Sequence, residues 1–319
     1  MDQNSETVLH IISGLLNQAQ TVTMQAVADS VARAAAGTDY GQTIASLVHN
    51  GYVARMEDGL VLTQKGAQEA GRIHKTKVQE EFDGLIGQCT QSSSYLDFCE
   101  ELYGYRLYLF NMMDKRQLDD LFAALELSPN DTVLDVGCGT GCLLNSIVEK
   151  VGCKGVGIDR LNKTIAASIS PLIDYRQTDM DGSYEIDAQT VLFVDSLYFS
   201  QDSRRLLKRL KGGAVKKAYI YYSAYLFHET DDRLLLKEDK TTIAQALSCL
   251  GFVYQATEYS ECEYLLYRRG LSLLETYKAA FAQQGLEDIY ERRKNEYTFG
   301  AALYEKGRAS RFLYTARSF

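Results

Sequence analysis

The stretch Thr132-Val133-Leu134-Asp135-Val136-Gly137-Cys138-Gly139-Thr140-Gly141 joins a short apolar run to an acid and three closely spaced glycines. Val133 to Val136 read as an inner parallel strand, because a strand buried on both faces is apolar without alternation. Gly137, Gly139 and Gly141 let the backbone turn sharply and come close to a ligand. Beyond the turn, Leu143, Leu144, Ile147, Val148 and Val151 recur at the spacing of one helical face. The stretch therefore predicts a strand, a tight turn and a helix whose N-terminal amides point at a bound group.

Spacing separates the ligands that such turns serve. A dinucleotide turn wants G-x-G-x-x-G or G-x-G-x-x-A, but Cys142 stands at the third such position, and the glycines run G-x-G-x-G from Gly137 to Gly141. A phosphate-cradling loop needs a lysine after its last glycine, and none lies between Leu134 and Glu149. The segment Asp135 to Gly141 closely resembles the first motif of class I S-adenosylmethionine-dependent methyltransferases. The resemblance extends over roughly residues 79–319, and only this first motif is highly specific. It implies a doubly wound, seven-stranded, Rossmann-like α/β sheet. It also implies S-adenosyl-L-methionine as cofactor, its methionine part held by Asp135 and the turn Gly137, Cys138, Gly139 and Gly141. Cys138 would contribute its backbone more than its sulfur.

Later strand ends carry further groups that an adenosine would need. Gly155 to Asp159 read as a second strand ending in an acid, 24 positions beyond Asp135. Asp159, followed by Arg160, is placed to accept from both ribose hydroxyls, as the acid beyond a dinucleotide turn does. A third strand near Ile173 to Gln177 runs into Asp179 and Met180; the resemblance implies that Asp179 faces the adenine amino group and that Met180 packs on the ring. A fourth, Thr190 to Val194, ends in Asp195-Ser196-Leu197-Tyr198, which resembles the family's fourth motif beside the transferable methyl. Acids at strand ends are also ordinary turn residues. Four candidate groups at four consecutive strand ends weigh more than any one, since ligands of open α/β sheets bind at the carboxyl ends of the strands.

Residues 214–225 and 252–259 read as the fifth and sixth strands, with a helix from Leu206 stopped at Lys211-Gly212-Gly213 and another from Thr242 stopped at Gly251. A largely helical insertion over about 261–302 precedes the last strand, near Arg311 to Thr315, and forms a natural lid or substrate wall. The aromatic-dense segment Tyr95 to Phe110 predicts helices that lead into the first strand and cover the cofactor. Tyr103 and Tyr225 are candidate substrate walls. Arg106 is a candidate partner for a carboxylate by two-pronged geometry. His228 follows the fifth strand, and histidine is a residue type suited to proton removal near neutral pH, with Glu229 and Glu261 as lesser candidates. After the fourth strand D-S-L-Y stands in place of N-P-P-Y or D-P-P-Y, which disfavours the nucleobase- and amide-methylating branches.

The N-terminal part is organised differently. Thr7 to Leu16, Thr23 to Ala34 and Thr38 to Val48 carry helical spacing, and Glu57-Asp58-Gly59 separates two short apolar runs as a hairpin turn. Three helices and a hairpin over about residues 1–78 resemble a mainly helical winged-helix domain, with a helical connector over 79–128 and the methyltransferase domain over 129–319. Through Lys75 this part carries seven acids and five bases, a net charge of −2. DNA-binding domains draw affinity from lysine and arginine on phosphates, so a role in dimerisation or in closing the substrate pocket is expected.

At 319 residues and 46% hydrophobic content the chain can bury a large core split between two units. A formal net charge of −8 disfavours a polyanionic substrate. No secretory signal or spanning apolar run is evident, and the chain is expected in the cytosol. Seven scattered cysteines without paired C-x-x-C units suggest free thiols rather than disulfides or a metal site. The expected function is methyl transfer to an O, N or C atom of a small molecule, with an RNA methyltransferase, or a DNA-binding regulator with a cofactor-sensing domain, as alternatives.

Overall fold

The computed structural model describes residues 1–319 except 17–20, 35–38, 58, 163–169, 212, 318 and 319. Asp58 at the expected hairpin tip and Gly212 at the expected helix stop lie outside the described residues. The chain divides into two compact units, Met1–Phe82 and Asp83–Phe319.

The first unit contains helices α1 (Gln3–Leu16), α2 (Met24–Ala34) and α3 (Tyr40–His49), strands β1 (Val53–Met56) and β2 (Gly59–Leu62), and the start of α4 (Gln64–Thr90). Asp39 caps α3, accepting from the Gln42 amide at 3.1 Å. This stabilises the helix N-terminus. The two strands pair antiparallel, and Val22 adds an isolated bridge to Leu60. Val8, Ile12, Val27, Ile44, Leu47, Val53 and Leu60 close the unit's own core.

The second unit is built on a seven-stranded sheet. Its strands are β3 (Thr132–Val136), β4 (Lys154–Asp159), β5 (Ile173–Gln177), β6 (Thr190–Val194), β7 (Lys217–Tyr225), β8 (Val253–Glu258) and β9 (Ala309–Arg317), in the spatial order β5-β4-β3-β6-β7-β9-β8. The pairs from β5 across to β7 are parallel, whereas β9 runs antiparallel to both β7 and β8. The central β6, Thr-Val-Leu-Phe-Val, is buried at every position, while the edge strand β8 has no buried residue. Apolar runs therefore fill the middle of the sheet and mixed ones its edge.

Alternation along the strands divides the interior into two layers. Val133, Leu192, Val194, Tyr219, Tyr221 and Leu313 face α5 (Ser93–Tyr103), α7 (Cys142–Val151), α10 (Ser260–Gln283) and α11 (Glu287–Glu305). Leu134, Val136, Val191, Phe193, Ile220, Phe312 and Tyr314 face α8 (Ser203–Lys208) and α9 (Thr242–Cys249). The helix expected through Phe110 ends early. Gly104 takes the left-handed conformation, φ 86°, and its amide closes α5 onto the Glu100 carbonyl. Residues 106–110 are not helical, and helix α6 (Lys115–Ala124) then leads to β3.

Candidate functional site

The order of the parallel strands reverses between β3 and β6, and their carboxyl ends share one edge of the sheet. A crevice opens at such a reversal. The turn after β3 lies there, with Gly137, Gly139 and Gly141 at φ 79°, 55° and 79°. Gly137 admits no side chain, since an added Cβ would stand 2.4 Å from the Ser196 Cβ. Gly139 has nothing among the described residues within 4 Å of that position, so they leave this part of the turn open.

The turn is tied to its neighbours. The amides of Gly137 and Cys138 donate to the Ile158 carbonyl at 2.7 and 3.1 Å. The Gly139 amide donates to Asp159 Oδ2 at 2.7 Å, and Tyr175 donates from β5 to the Gly139 carbonyl at 3.0 Å. Tyr175 was not singled out from sequence, although it sits at an inward position of a predicted strand. The Cys138 thiol packs toward Gly157, and burial pushes its pKa well up. Its backbone thus serves the turn.

Asp135 is 2% exposed, and its Oδ1 has no hydrogen-bond partner among the described residues. Burial, with the nearby Asp159 charge adding to it, pushes the carboxyl up to about 7. A buried carboxylate oxygen without a donor is costly unless a ligand supplies one. Asp159 is also raised by burial, opposed by donors from Leu161 and Gly139. Its two oxygens accept from the Leu161 and Gly139 amides at 2.8 and 2.7 Å.

The remaining sites divide into two groups. Met180 is buried, with its Cε near the Gly137 turn, and the Ser196 hydroxyl donates to the Val136 carbonyl at 2.6 Å. Both therefore line the glycine turn. Asp179 is exposed beside the exposed Arg160, 3.9 Å away, and accepts from the Asp181 amide at 2.9 Å.

Asp195 is not open to the crevice as its strand-end position suggested. Both its oxygens are held by Arg311, at 2.6 and 2.9 Å, because that fully buried guanidinium requires a counter-charge. The Met112 amide donates to Asp195 Oδ2 at 3.0 Å and Tyr198 donates to Oδ1 at 3.2 Å. Arg106 does not reach the crevice with a free fork either. It is half exposed and bonds Asp97 and Glu100, each at 2.6 Å.

Glu261 is exposed on the first turn of α10, whereas Glu263 is 1% exposed. Two residues turn a helix by about 200°, so the second acid meets the interior when the first meets solvent. Glu263 accepts from Ser223 at 2.8 Å, Tyr225 at 3.1 Å, Arg311 at 3.2 Å, and Tyr304. Burial raises its pKa against the opposing effect of Arg311. Tyr225 also bonds the Tyr267 hydroxyl at 2.9 Å. Tyr103 is buried in the helical layer, its hydroxyl without a partner among the described residues. His228 is exposed on the loop after β7, and its backbone bonds Asp231 and Arg308.

Residues 105–113 cross the glycine turn, where the Thr140 hydroxyl donates to the Tyr108 carbonyl at 3.4 Å. The same segment is gripped from the helices: Tyr95 and the buried Arg293 donate to the Leu109 carbonyl at 3.0 and 3.3 Å. Arg293, Glu263 and Arg311 were all missed by sequence reading. Buried charges were the available signal, but they cannot be told from surface ones without the fold.

The strand order, the antiparallel last strand and the glycine turn at the reversal point are those of a Rossmann-like methyltransferase fold. The profile of the family "Methionine biosynthesis protein MetW" matches residues 119–224. No curated protein sequence matches the chain. Phosphoethanolamine N-methyltransferase 2 of Haemonchus contortus, solved with S-adenosylhomocysteine and phosphomonomethylethanolamine, superposes with a TM-score of 0.56 at 13% identity, over 73% of this chain and 60% of that one. The cyclopropane synthase MmaA2 of Mycobacterium tuberculosis superposes with a TM-score of 0.55 at 14% identity, over 73% of this chain and 98% of the other. This chain thus spans less than two thirds of the Haemonchus enzyme. At these identities the likeness establishes the fold.

Proposed function

We propose that this chain is an S-adenosylmethionine-dependent methyltransferase whose acceptor is a nucleophilic O, N or C atom of a small molecule. The observation that carries the reading is the crevice between β3 and β6. There, Asp135 Oδ1 and the side of Gly139 that faces the crevice, both without a neighbour to meet them among the described residues, stand beside Asp159. These groups fit the cofactor: an orphan buried acceptor suits a cationic ammonium, and a turn free of side chains suits a close approach of the ligand. The structures with S-adenosylhomocysteine or S-adenosylmethionine bound in the same fold support it.

Asp135 and the turn would hold the methionine part, Asp159 the ribose, and Met180 the adenine face. The bound cofactor supplies a methyl group already activated by positive sulfur. The chain's own task is alignment and exclusion of water. Residues 105–113 run beside the glycine turn, and Tyr198 and Tyr225, the latter bonded to Tyr267 of α10, bring hydroxyls to the ends of β6 and β7. His228 is the proposed proton acceptor for acceptors that must lose a proton, since it lies on the loop leaving β7 at this edge. A net charge of −8 supports a small acceptor over a nucleic acid.

The first unit is proposed to be a winged-helix-like module that dimerises. Its helix–hairpin order and acid-capped α3 support this over phosphate binding.

Calorimetric titration with S-adenosylhomocysteine tests the main reading. Micromolar binding is expected, weakened at least about tenfold by Asp135→Ala through loss of the charge facing the ligand's ammonium. Failure of the parent protein to bind, or unchanged affinity of the variant, refutes it.

A further inference from the structure

Asp195 is the one non-glycine residue with a positive φ among the described residues, at 52°. The left-handed conformation is costly for a residue with a Cβ and persists where the surroundings impose it. It falls where the chain leaves β6 and must deliver Ser196 to the glycine turn. The delivery is tight: the Ser196 Cβ occupies the space that a Gly137 side chain would need, and its hydroxyl bonds the Val136 carbonyl.

What imposes the turn comes from the other end of the chain. Arg311 of β9 lies opposite Ser223 of β7 and is 0% exposed. Its Nη1 and Nη2 grip the two Asp195 oxygens, its Nε donates to Gln117 at 2.7 Å, and Nη1 also donates to Ser223 and Glu263 at 2.9 and 3.2 Å. The guanidinium is thus fixed from α6, β7 and α10 before it reaches Asp195. A planar fork held in this way permits one orientation of the carboxylate, which a single-point ammonium does not.

We infer that Arg311 is a positioning residue, acting through Asp195 to lock the exit of β6 in its left-handed turn and so to hold Ser196 against the cofactor-binding loop. The inference rests on the function proposed above. Arg311 itself contacts the glycine turn nowhere among the described residues. The same clamp presents Asp195 Oδ2 to the Met112 amide, so the covering segment 105–113 shares the anchor.

The test separates the backbone role from the charge. Arg311→Met is combined with Asp195→Gly in one protein and with Asp195→Ala in another, and S-adenosylhomocysteine affinity is measured for both and for the parent. Each double variant removes both charges and leaves Met112 and Tyr198 equally without an acceptor. Of the two replacements, only glycine adopts the left-handed turn unaided. The alanine variant is expected to bind roughly 5- to 30-fold more weakly than the glycine variant, the ratio set by the left-handed penalty. Equal affinities overturn the inference, whereas absence of binding by the parent overturns the proposed function instead.

Should the double variants fail to fold, Arg311→Lys keeps the buried positive charge and removes the two-pronged grip. An affinity for S-adenosylhomocysteine lowered severalfold, with an unchanged far-ultraviolet circular dichroism spectrum and faster hydrogen exchange at the Met112 amide, is expected. Parent-like affinity and exchange in that variant overturn the inference.

Discussion

The guanidinium of Arg311 meets both oxygens of Asp195, at 2.6 and 2.9 Å, across 116 residues of sequence. The contact joins the last strand to the exit of the fourth strand of the sheet, beside the turn that opens the crevice. With Glu263 it forms a buried set of two carboxylates and one guanidinium. Removing the shared partner leaves both acids uncompensated. Arg311→Met should therefore destabilise the second unit by about 3–5 kcal/mol, measured by urea unfolding at neutral pH. A loss below about 1 kcal/mol would mean that hydroxyl donors alone satisfy the two acids.

The raised carboxyl of Asp135 makes ligand binding depend on pH. With a folded value of about 7 against an ordinary 3.8, the folded chain retains a proton there that the unfolded chain has already released. Its contribution to stability is full below about pH 4 and is lost as pH rises through 7. A cationic ligand group favours the ionised form. Binding of S-adenosylmethionine at pH 6 should release a proton, and affinity should rise between pH 5.5 and 7 by up to about tenfold per unit. Titrations in buffers of different ionisation enthalpy report the proton directly; uptake instead of release would contradict the placement of the cation.

The turn glycines should respond differently to one methyl group. Gly137→Ala drives a Cβ to 2.4 Å from Ser196 at φ 79°, and a stability loss of about 2–5 kcal/mol is expected. Gly139→Ala meets nothing among the described residues within 4 Å at φ 55° and should cost only about 1–2 kcal/mol. It should nevertheless abolish measurable cofactor binding, since the methyl enters the space left for the ligand. Thermal melts with and without S-adenosylhomocysteine distinguish the two.

Arg106 is expected to contribute little. Its partners Asp97 and Glu100 are half exposed, as it is, and such pairs are worth at most about 1 kcal/mol. Arg106→Ala should leave S-adenosylhomocysteine affinity within about twofold of the parent. A tenfold loss by calorimetry would return this residue to the cofactor site.

The strands, the glycine turn and the acids that end β3 and β4 were legible in the amino-acid sequence because each depends on near neighbours: apolar runs long enough to be buried, and glycines where side chains cannot fit. The early stop of α5 was also local, written in Gly104, but the aromatic density beyond it masked the signal. Which charged residues enter the interior was decided only by tertiary structure. Asp195 turns to Arg311 because β9 inserts antiparallel between β7 and β8, and Glu263 replaces Glu261 because the register of α10 against the sheet points one of them inward. Local spacing records a residue's neighbours along the chain. An ion pair is chosen by its neighbours across the fold, where burial makes an unpaired charge too costly to leave alone.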